Sequence, residues 1–474
     1  MWWQDAVVYQ IYPRSFQDSN GDGVGDLAGI ESRLDHLAWL GVDALWLSPI
    51  YPSPLADFGY DVSDYTNVDP VFGTLEDFDA LVDAAAERGL RVLLDIVPCH
   101  TSIEHPWFRD HPDWYIWRDE PNNWLSAFGG SAWSKRDGRY YLHSFYPEQP
   151  DLDWRNPEVV AAMQEVFRFW LERGVAGYRL DAIDRLMKDP ELRDDPPATE
   201  PFGLPLTEEK AKLAHLYSGN APDTGEALAE IREASGDAFL IGEIYLPSAK
   251  WQPYLEHLDA AFAFELLFSP WAAEPLRHAI TTTTRAPGAA WVLSNHDFGR
   301  LATRFGADNA RAAAMLLLTL PGASFLYQGD EIAQREGPEG ESRHDRAGRD
   351  RFRHPMQWTP DPKGGFTTGE PWLPVVDPVR HNVEEQRDDP GSMLSLVRRL
   401  IELRKRLGSG LRLLDAAAGV IAYARGEYVV ALNTTAERQP APGLLGEVEL
   451  EAHPDTLSRG KLAPHAGVVA RALG

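Results

Sequence analysis

Charged side chains stand at the ends of four short apolar segments of this 474-residue chain. The charged endings lie within residues 94–100, 177–181, 241–243 and 294–297. Asp181, Glu243 and Asp297, with two histidines and one arginine, could face a common axis if these segments are neighbours in the fold. Cleavage of a glycosidic bond with retention needs a carboxylate nucleophile and a protonated carboxylic acid about 5–5.5 Å apart. The endings therefore predict glycoside chemistry.

Asp181 and Glu243 are the candidates for these two roles. Arg179 lies two residues before Asp181 on the same face of an extended segment, so it can keep the Asp181 carboxylate ionised and oriented. Glu243 follows the apolar run Phe239-Leu-Ile-Gly, where burial favours a protonated carboxyl. Taken singly, each charged residue could be a structural ion pair or a satisfied core histidine. Four such endings favour the catalytic interpretation.

The segments that position these residues have the pattern of βα units around a parallel sheet, because short apolar runs alternate with longer amphipathic stretches. Most of the short runs are uniformly apolar, as strands buried on both faces are. Eight candidate strands cover residues 6–12, 44–49, 91–97, 177–182, 238–244, 261–265, 290–295 and 324–328. Eight such strands predict a (β/α)8 TIM barrel, whose strand ends converge on one pocket.

Longer irregular segments interrupt the barrel pattern. We predict that residues 1–100 and 155–407 form the catalytic barrel, with insertions at about 188–220 and 330–390 on its rim. Residues 101–154 form an inserted, loop-rich subdomain, and residues 408–474 a small C-terminal antiparallel β-domain. Two of the helices have clear limits in the sequence: one follows a capping box from Thr74 to Asp77 and ends at Gly89, and the other covers residues 392–407.

Bulk properties exclude several classes of function. A formal net charge of −27 argues against a nucleic-acid partner, because phosphate binding relies on Lys and Arg. The single cysteine, Cys99, allows no intramolecular disulfide, and no 18-residue apolar run is present. The first residues lack the features of a signal peptide. We expect a cytoplasmic monomer or homodimer with no membrane partner, acting on a neutral oligosaccharide or glucoside.

A separate acidic segment, residues 18–26, predicts a bound cation. Asp18, Asn20, Asp22 and Asp26 place oxygen ligands at alternating positions, with glycine at the sharp turn, much like the start of an EF-hand loop. The twelfth position holds Gly29 instead of glutamate, so the motif is not a complete EF-hand. A solvated acidic loop is the alternative, and a structural Ca²⁺ is the prediction.

The four charged endings resemble signature regions of the α-amylase superfamily, glycoside hydrolase family 13, in its α-glucosidase and oligo-1,6-glucosidase-like branch. Further matching segments are Val8-Tyr-Gln-Ile-Tyr-Pro-Arg-Ser-Phe16, Asp57-Phe-Gly-Tyr-Asp61, Gln149-Pro-Asp-Leu-Asp-Trp154 and Arg353-His-Pro-Met-Gln-Trp358. The resemblance spans roughly residues 1 to 360, and the C-terminal seventy or so residues carry no such signature.

The resemblance implies a role for each matching residue. Asp181 corresponds to the nucleophile, Glu243 to the acid/base and Asp297 to the stabiliser of the transition state. Other matching residues correspond to those that grip the terminal glucose in subsite −1, namely Asp61, His100, Arg179, His296 and Arg353, with Tyr60 as the aromatic platform. The family's metal ligands correspond to Asp18, Asn20, Asp22, the Val24 carbonyl and Asp26.

Two positions refine the expected activity. Cys99 stands where the family usually has asparagine, a ligand of a different calcium site in many α-amylases, so we predict that this second site is absent. Ala182 follows the nucleophile, and within this branch alanine or threonine there accompanies α-1,4 cleavage and sometimes sucrose cleavage, whereas valine accompanies α-1,6 cleavage. We therefore expect a retaining α-glucosidase that prefers short α-1,4 substrates such as maltose and also catalyses transglucosylation.

Two alternative functions remain open. An amylosucrase-like or trehalose-synthase-like enzyme would carry the same three carboxylates, because the acceptor loops decide whether water or a sugar reaches the intermediate. A non-catalytic barrel subunit of a transporter would have a membrane anchor and would have lost the carboxylates, and the sequence shows neither feature.

Overall fold

A closed barrel of eight parallel strands forms the centre of this computed structural model, which describes residues 1–339 and 344–473. Each strand pairs with the next in chain order, and the last strand closes on the first through the register of Val7 with Ser324. The strands are β1 Val7–Ile11, β2 Ala44–Leu47, β3 Arg91–Ile96, β4 Gly177–Leu180, β5 Phe239–Gly242, β6 Ala260–Phe262, β7 Ala289–Val292 and β8 Ser324–Tyr327. The predicted (β/α)8 barrel is confirmed.

The barrel strands are buried because their apolar residues meet the interior on one face and the helices on the other. Every residue of β1, β4, β5 and β8 is buried. β4 ends at Leu180 and β5 at Gly242, so Asp181 and Glu243 come directly after the strands. This placement sends both carboxyl groups to the C-terminal rim, where barrel enzymes have their active sites.

Helices surround the barrel and follow local sequence signals. The predicted capping box is present, since the Thr74 hydroxyl accepts from the Asp77 amide at 3.2 Å and the Asp77 carboxylate accepts from the Thr74 amide at 2.8 Å. Gly89, with a φ of +73°, follows the end of this helix. The α-helices are Leu27–Ser32, Leu34–Leu40, Leu75–Glu87, Pro106–Asp110, Pro157–Glu172, Thr224–Ser235, Gln252–Leu255, Phe264–Phe268, Ala273–Thr283, Leu301–Arg304, Ala310–Thr319, Val383–Arg387 and Met393–Arg404.

The segments predicted as insertions contribute little regular structure. Within residues 101–154, the strands Trp117–Arg118, Trp133–Arg136 and Arg139–Leu142 form a small antiparallel sheet. This segment packs on residues 188–220, since the Trp124 indole donates to the Arg193 carbonyl at 2.9 Å. Residues 340–343 of the third predicted insertion lie outside the described residues. The rim of the barrel is thus built from segments distant in sequence.

The C-terminal segment forms antiparallel sheets against the barrel. One sheet has the order Arg412–Leu413, Val420–Arg425, Tyr428–Asn433, Gly467–Ala472 and Leu445–Glu451, and another has the order Gln439–Pro440, Lys461–Leu462 and Leu457–Ser458. The first sheet contacts the helix Ala310–Thr319, where the Arg425 guanidinium donates to the Thr319 carbonyl at 3.1 Å. In the described part of the chain, no helix has the length and apolar character needed to cross a membrane.

Candidate active site

A cavity of about 390 Å³ opens at the C-terminal end of the barrel. Asp181, Glu243 and Asp297 line it together, after β4, β5 and β7. Tyr60 and His100 line it as well. Other lining residues come from the segments 101–154 and 188–220, including Phe128, Phe145, Phe202, Leu206 and Lys210, and Arg185 lines the cavity just before the second segment. The fold therefore brings together side chains that are far apart in sequence, and it places the three predicted catalytic acids on one cavity.

Arg179 is the centre of the acidic cluster. Its Nη1 atom lies 2.5 Å from Asp181 Oδ1 and 2.9 Å from Asp95 Oδ1, and its Nη2 atom lies 2.8 Å from Glu243 Oε1. The guanidinium is 2% exposed. Since one buried cation faces three carboxyl groups, it cannot balance three negative charges, and a proton on one carboxyl group lowers the electrostatic cost.

Glu243 is the carboxyl group best suited to hold that proton. Burial raises the pKa of Glu243 well above its ordinary value; Arg179 opposes the rise, and the charge of Asp181 adds to it. Its second oxygen, Oε2, accepts from the Ala182 amide at 3.2 Å. Glu243 can therefore donate a proton at neutral pH.

Asp297 is held as a carboxylate by two arginines. Its Oδ1 atom accepts from Arg349 Nη1 and from Arg353 Nη2, each at 2.9 Å, and Oδ2 lies 3.2 Å from His296 Nε2. Burial works toward a higher pKa for Asp297, but His296, Arg349 and Arg353 outweigh it, and the pKa is lowered. A permanent negative charge is thus fixed on the cavity wall.

Tyr60 and His296 form a stacked, hydrogen-bonded pair next to this charge. Their ring centroids lie 5.4 Å apart at an interplanar angle of 9°, and the Tyr60 hydroxyl lies 2.7 Å from His296 Nε2. The same hydroxyl donates to Asp95 Oδ2 at 2.9 Å. Burial lowers the pKa of His296 to about 3, so its ring is neutral. The Gln10 amide at 2.8 Å from Nδ1 completes the chain of hydrogen bonds.

His100 faces the cavity from the end of β3. Its Nε2 atom lies 3.0 Å from both the Tyr60 carbonyl and Gln149 Nε2. Its Nδ1 atom is buried and has no protein hydrogen-bond partner among the described residues.

Asp61 does not line the cavity, and the structure does not support its predicted contact with the sugar. Its carboxylate is fully buried and turned into its own loop. Oδ1 accepts from the Ser53 hydroxyl at 2.8 Å and from the Asp57 amide at 2.9 Å, and Oδ2 accepts from the Ala56 amide at 2.9 Å. Asp61 therefore stabilises the loop that carries Asp57.

Arg353 is likewise placed behind the cavity lining and not in it. It is fully buried, and its Nε atom donates to the His296 carbonyl at 2.9 Å. Besides this bond it contacts Asp297. Arg353 was predicted to bind the sugar, but the structure places it in contact with Asp297 instead.

Asp57 and Arg349 line the cavity where Asp61 and Arg353 were predicted to do so. The sequence analysis missed both residues. They form an ion pair, and Asp57 Oδ2 accepts from Gln149 Nε2 at 3.1 Å. Each lies four residues before the residue that was predicted, within the same motif or just ahead of it. No spacing rule distinguishes two aspartates or two arginines on one loop, so only the folded loops reveal which side chain faces the cavity.

The segment 18–26 has the local turns of a cation-binding loop. Asp18 Oδ1 accepts from the Asn20 amide at 2.9 Å, Asn20 Oδ1 from the Asp22 amide at 2.9 Å, and Asp22 Oδ1 from the Val24 amide at 2.8 Å. These turns bring successive side chains to one side of the loop. The potential ligands are all oxygen atoms, as Ca²⁺ prefers.

Asp26 also caps a helix, since Oδ1 accepts from the Gly29 amide at 2.6 Å. Among the described residues, the carboxylate atoms of Asp18, Asp22 and Asp26 do not all lie within 4.8 Å of one another. Carbonyl and amide oxygens must therefore contribute to any cation site. The donor set fits calcium, and calcium stays a prediction.

A lysine supplies the positive charge near Cys99. Lys188 Nζ lies 2.5 Å from Asp151 Oδ2 and 3.7 Å from Cys99 Sγ. Burial raises the pKa of the Cys99 thiol, which is therefore neutral. An ammonium group at this position opposes a second cation by charge repulsion. The predicted absence of a second calcium site stays a prediction, with Lys188 as its physical reason.

Comparison with known proteins agrees with this geometry. The family described as Alpha amylase, catalytic domain, matches residues 10–410. The chain is 42% identical to the probable alpha-glucosidase of Rhizobium meliloti (strain 1021), over 85% of this chain and 82% of that protein. It is 37% identical to the oligo-1,6-glucosidase of Parageobacillus thermoglucosidasius, over 86% and 84%. The crystal structure of the alpha-glucosyl transfer enzyme XgtA superposes with a TM-score of 0.91 at 38% identity, over 100% of this chain and 99% of that chain.

The barrel, with its acids gathered at the strand ends, is the catalytic domain of a glycoside hydrolase, and the chain belongs to the α-amylase family, glycoside hydrolase family 13. Within that family it is an α-glucosidase-like enzyme, as its relatives named alpha-glucosidase and oligo-1,6-glucosidase show. Its substrates are carbohydrates.

Proposed function

We propose that the enzyme is a retaining α-glucosidase that releases α-glucose from the non-reducing end of short α-glucosides. The main support for this proposal is that the Arg179 guanidinium contacts Asp181 with one terminal nitrogen and Glu243 with the other. One guanidinium that contacts both carboxyl groups keeps them close together, which suits a retaining pair, and the anomer of the first product distinguishes retention from inversion.

The residues divide the reaction into two steps. Glu243 donates its proton to the glycosidic oxygen while Asp181 attacks C1, which forms a covalent β-glucosyl-enzyme and releases the aglycone. Glu243, now a carboxylate, takes a proton from water, which displaces Asp181 from C1 and yields α-glucose. Asp297 stabilises the positive charge that develops on the sugar ring in both transition states.

A set of polar residues supports subsite −1 around the terminal glucose. The Asp57–Arg349 ion pair offers an acceptor and donors to sugar hydroxyls, and both residues line the cavity. Tyr60 presents its ring to the sugar, and His100 lines the same cavity. A closed set of this kind accepts a chain end and excludes the middle of a chain.

The α-1,4 preference is proposed from Ala182, which lines the cavity directly after the nucleophile. Cleavage of α-1,6 linkages is the alternative specificity, because the chain is also similar to an oligo-1,6-glucosidase. Turnover of maltose, isomaltose, nigerose, sucrose, trehalose and soluble starch, with the anomer of the released glucose followed, tests linkage and retention together. We expect maltose to be the best disaccharide and α-glucose the first product. A β-anomer as first product would overturn the assignment of Asp181.

Transglucosylation is the second candidate activity, and the similarity to the alpha-glucosyl transfer enzyme XgtA favours it. Apolar side chains such as Phe202, Leu206 and Phe298 line the cavity together with the catalytic acids, where an organic acceptor could compete with water. Product analysis with maltose, sucrose and an added acceptor separates the activities. Hydrolysis predicts free glucose as the main product, and transfer or isomerisation predicts glucosides at its expense.

A non-catalytic role predicts a measured glucosidase rate that is unchanged in Asp181→Ala. We expect that rate to fall by about 10⁴-fold or more, because the proposed reaction needs the Asp181 carboxylate to form the intermediate. We further propose Ca²⁺ as a structural ion, held by Asp18, Asn20, Asp22, the Val24 carbonyl and Asp26. When bound it would supply a local positive charge that fixes the loop.

A further inference from the structure

Lys210 is a buried cation on the catalytic cavity that the proposed reaction does not use. It begins the short 3₁₀ helix Lys210–Lys212 in the predicted insertion 188–220. It is only 6% exposed and lines the same cavity as Glu243. The segment that carries it also contributes Phe202, Leu206 and Thr207 to the cavity lining.

The ammonium group of Lys210 has no protein counterion of its own. Within the described residues its Nζ atom makes no hydrogen bond or ion pair, and Asp184 is the one carboxylate that acts on it electrostatically. Asp184 is already in contact with Arg185, at 3.3 Å. Two cations therefore share one carboxylate on this side of the cavity.

No neighbouring group among the described residues supplies a second negative charge for Lys210 and Arg185. The His215 ring lies 2.8 Å from the Lys210 carbonyl, and burial lowers its pKa, so it is neutral. Glu209 turns to the Gly130 amide at 3.5 Å. Burial lowers the pKa of Lys210 to about 7, and the charge of Arg185 adds to the effect. A desolvated ammonium without a partner is an unfavourable arrangement that an incoming anion can relieve.

Part of the wall of this cavity is apolar. Phe128, Phe202, Pro205 and Leu206 line the same cavity, and Phe298 does so from the barrel side. Such walls suit a hydrocarbon or aromatic body better than the hydroxyl groups of a second sugar, since apolar surface gains most from apolar contact.

We propose that the aglycone side of this cavity selects α-glucosides whose leaving group combines an apolar body with a carboxylate, and that Lys210 binds that carboxylate. This inference rests on the proposed α-glucosidase reaction and names its preferred substrate class. Lys210 is a specificity-determining residue and takes no part in bond cleavage. A charge-assisted hydrogen bond in a desolvated site discriminates strongly against an uncharged analogue.

A matched pair of substrates tests the proposal. 4-Carboxyphenyl α-glucoside and 4-carbamoylphenyl α-glucoside have nearly the same shape and differ in the charge of the distal group. We expect kcat/KM for the carboxylate to exceed that for the amide by about tenfold or more, mainly through a lower KM. In Lys210→Met the ratio should fall to near one, and in Lys210→Arg it should be largely restored. The ratio is the readout because a general loss of activity cancels from it.

Lys212→Met is the control variant, because Lys212 is two residues away and its side chain is 69% exposed. It should keep the wild-type ratio. A ratio near one in the wild type, or a high ratio that survives in Lys210→Met, would overturn the role of Lys210. If 4-nitrophenyl α-glucoside is cleaved and the ratio is flat, only this inference fails. If no α-glucoside is cleaved, the proposed reaction itself fails.

Discussion

Arg179 sets the protonation pattern of the site, because one guanidinium faces Asp95, Asp181 and Glu243. Burial raises the pKa of Asp95 to about 7, and it raises that of Glu243 well above the ordinary value. The cluster therefore keeps protonated carboxyl groups near neutral pH. Asp181 contacts the same guanidinium nitrogen as Asp95.

The basic limb of the pH profile tests the role of Glu243. A general acid must be protonated, and a raised pKa keeps it so at neutral pH, so kcat/KM is lost as pH rises through that pKa. We expect a wild-type basic limb with maltose that disappears in Glu243→Gln assayed with 2,4-dinitrophenyl α-glucoside, whose leaving group needs no proton. The same limb in both proteins would assign the proton to another group.

The two aspartates of the Asp57–Asp61 motif should respond differently to removal of charge. Asp57→Asn loses the ion pair with Arg349, and we expect kcat/KM for maltose to fall by about 100-fold with little change in Tm. Asp61→Asn keeps an acceptor for the Asp57 amide and loses part of the loop's hydrogen bonding. It should lower Tm and cost less than about tenfold in kcat/KM. A large loss of kcat/KM in Asp61→Asn and a small loss in Asp57→Asn would show that Asp61 contacts the sugar.

The sequence was sufficient to place Asp181 and Glu243 on the cavity, and it did not single out Asp57 and Arg349 as lining residues. Asp181 and Glu243 directly follow strands, so the barrel topology alone decides where they point. Asp57 and Arg349 lie on long loops, whose course depends on contacts between distant segments such as Asp57 with Gln149. Local pattern carries no information about such contacts.

At the scale of elements, strand ends were the least predictable feature. Residues 261–265 were expected as one strand, but β6 ends at Phe262 and the helix Phe264–Phe268 begins two residues later. A short apolar run fits a buried strand and a buried helix equally well. The capping box at Thr74 was predictable, because its signal is local.

The loop 18–26 leads to a prediction about thermal stability. If it holds Ca²⁺, chelation with EDTA should lower Tm by on the order of 5 °C, because an ion bound only to the folded state stabilises it. Added Ca²⁺ should restore the wild type. Asp22→Ala removes an exposed ligand and should make Tm insensitive to both treatments. A Tm that does not respond in the wild type would leave the segment as an acidic turn.

At the scale of the whole molecule, arginine side chains join the C-terminal sheets to the barrel. Arg404 donates to the Leu318 carbonyl at 2.9 Å, and Arg425 contacts both Thr319 and Asp5. These bonds connect the first residues of the chain, a barrel helix and the C-terminal sheet. Glycines and short β-rich runs predicted a β-domain here, but the sequence did not predict these contacts.

The insertions that meet over the barrel should limit substrate length. They leave a cavity of about 390 Å³, a size typical of small-molecule sites. We expect kcat/KM for maltose to exceed that for soluble starch, per chain end, by about tenfold or more, since a long chain cannot follow the narrowed exit. Equal values for the two substrates would show that the rim leaves an open cleft.

Ala182 connects the linkage preference of the enzyme with the pH dependence of its activity. It adopts a left-handed conformation, with φ +45° and ψ +42°, and this turn aims its amide at Glu243. A β-branched residue is strained in that conformation, by about 1–3 kcal/mol, and would shift the peptide unit. Ala182→Val should therefore alter linkage preference and the basic limb of the pH profile together. Selection for a new linkage at this position would carry a change of pH optimum with it, and an unchanged profile would show that the two properties evolve independently.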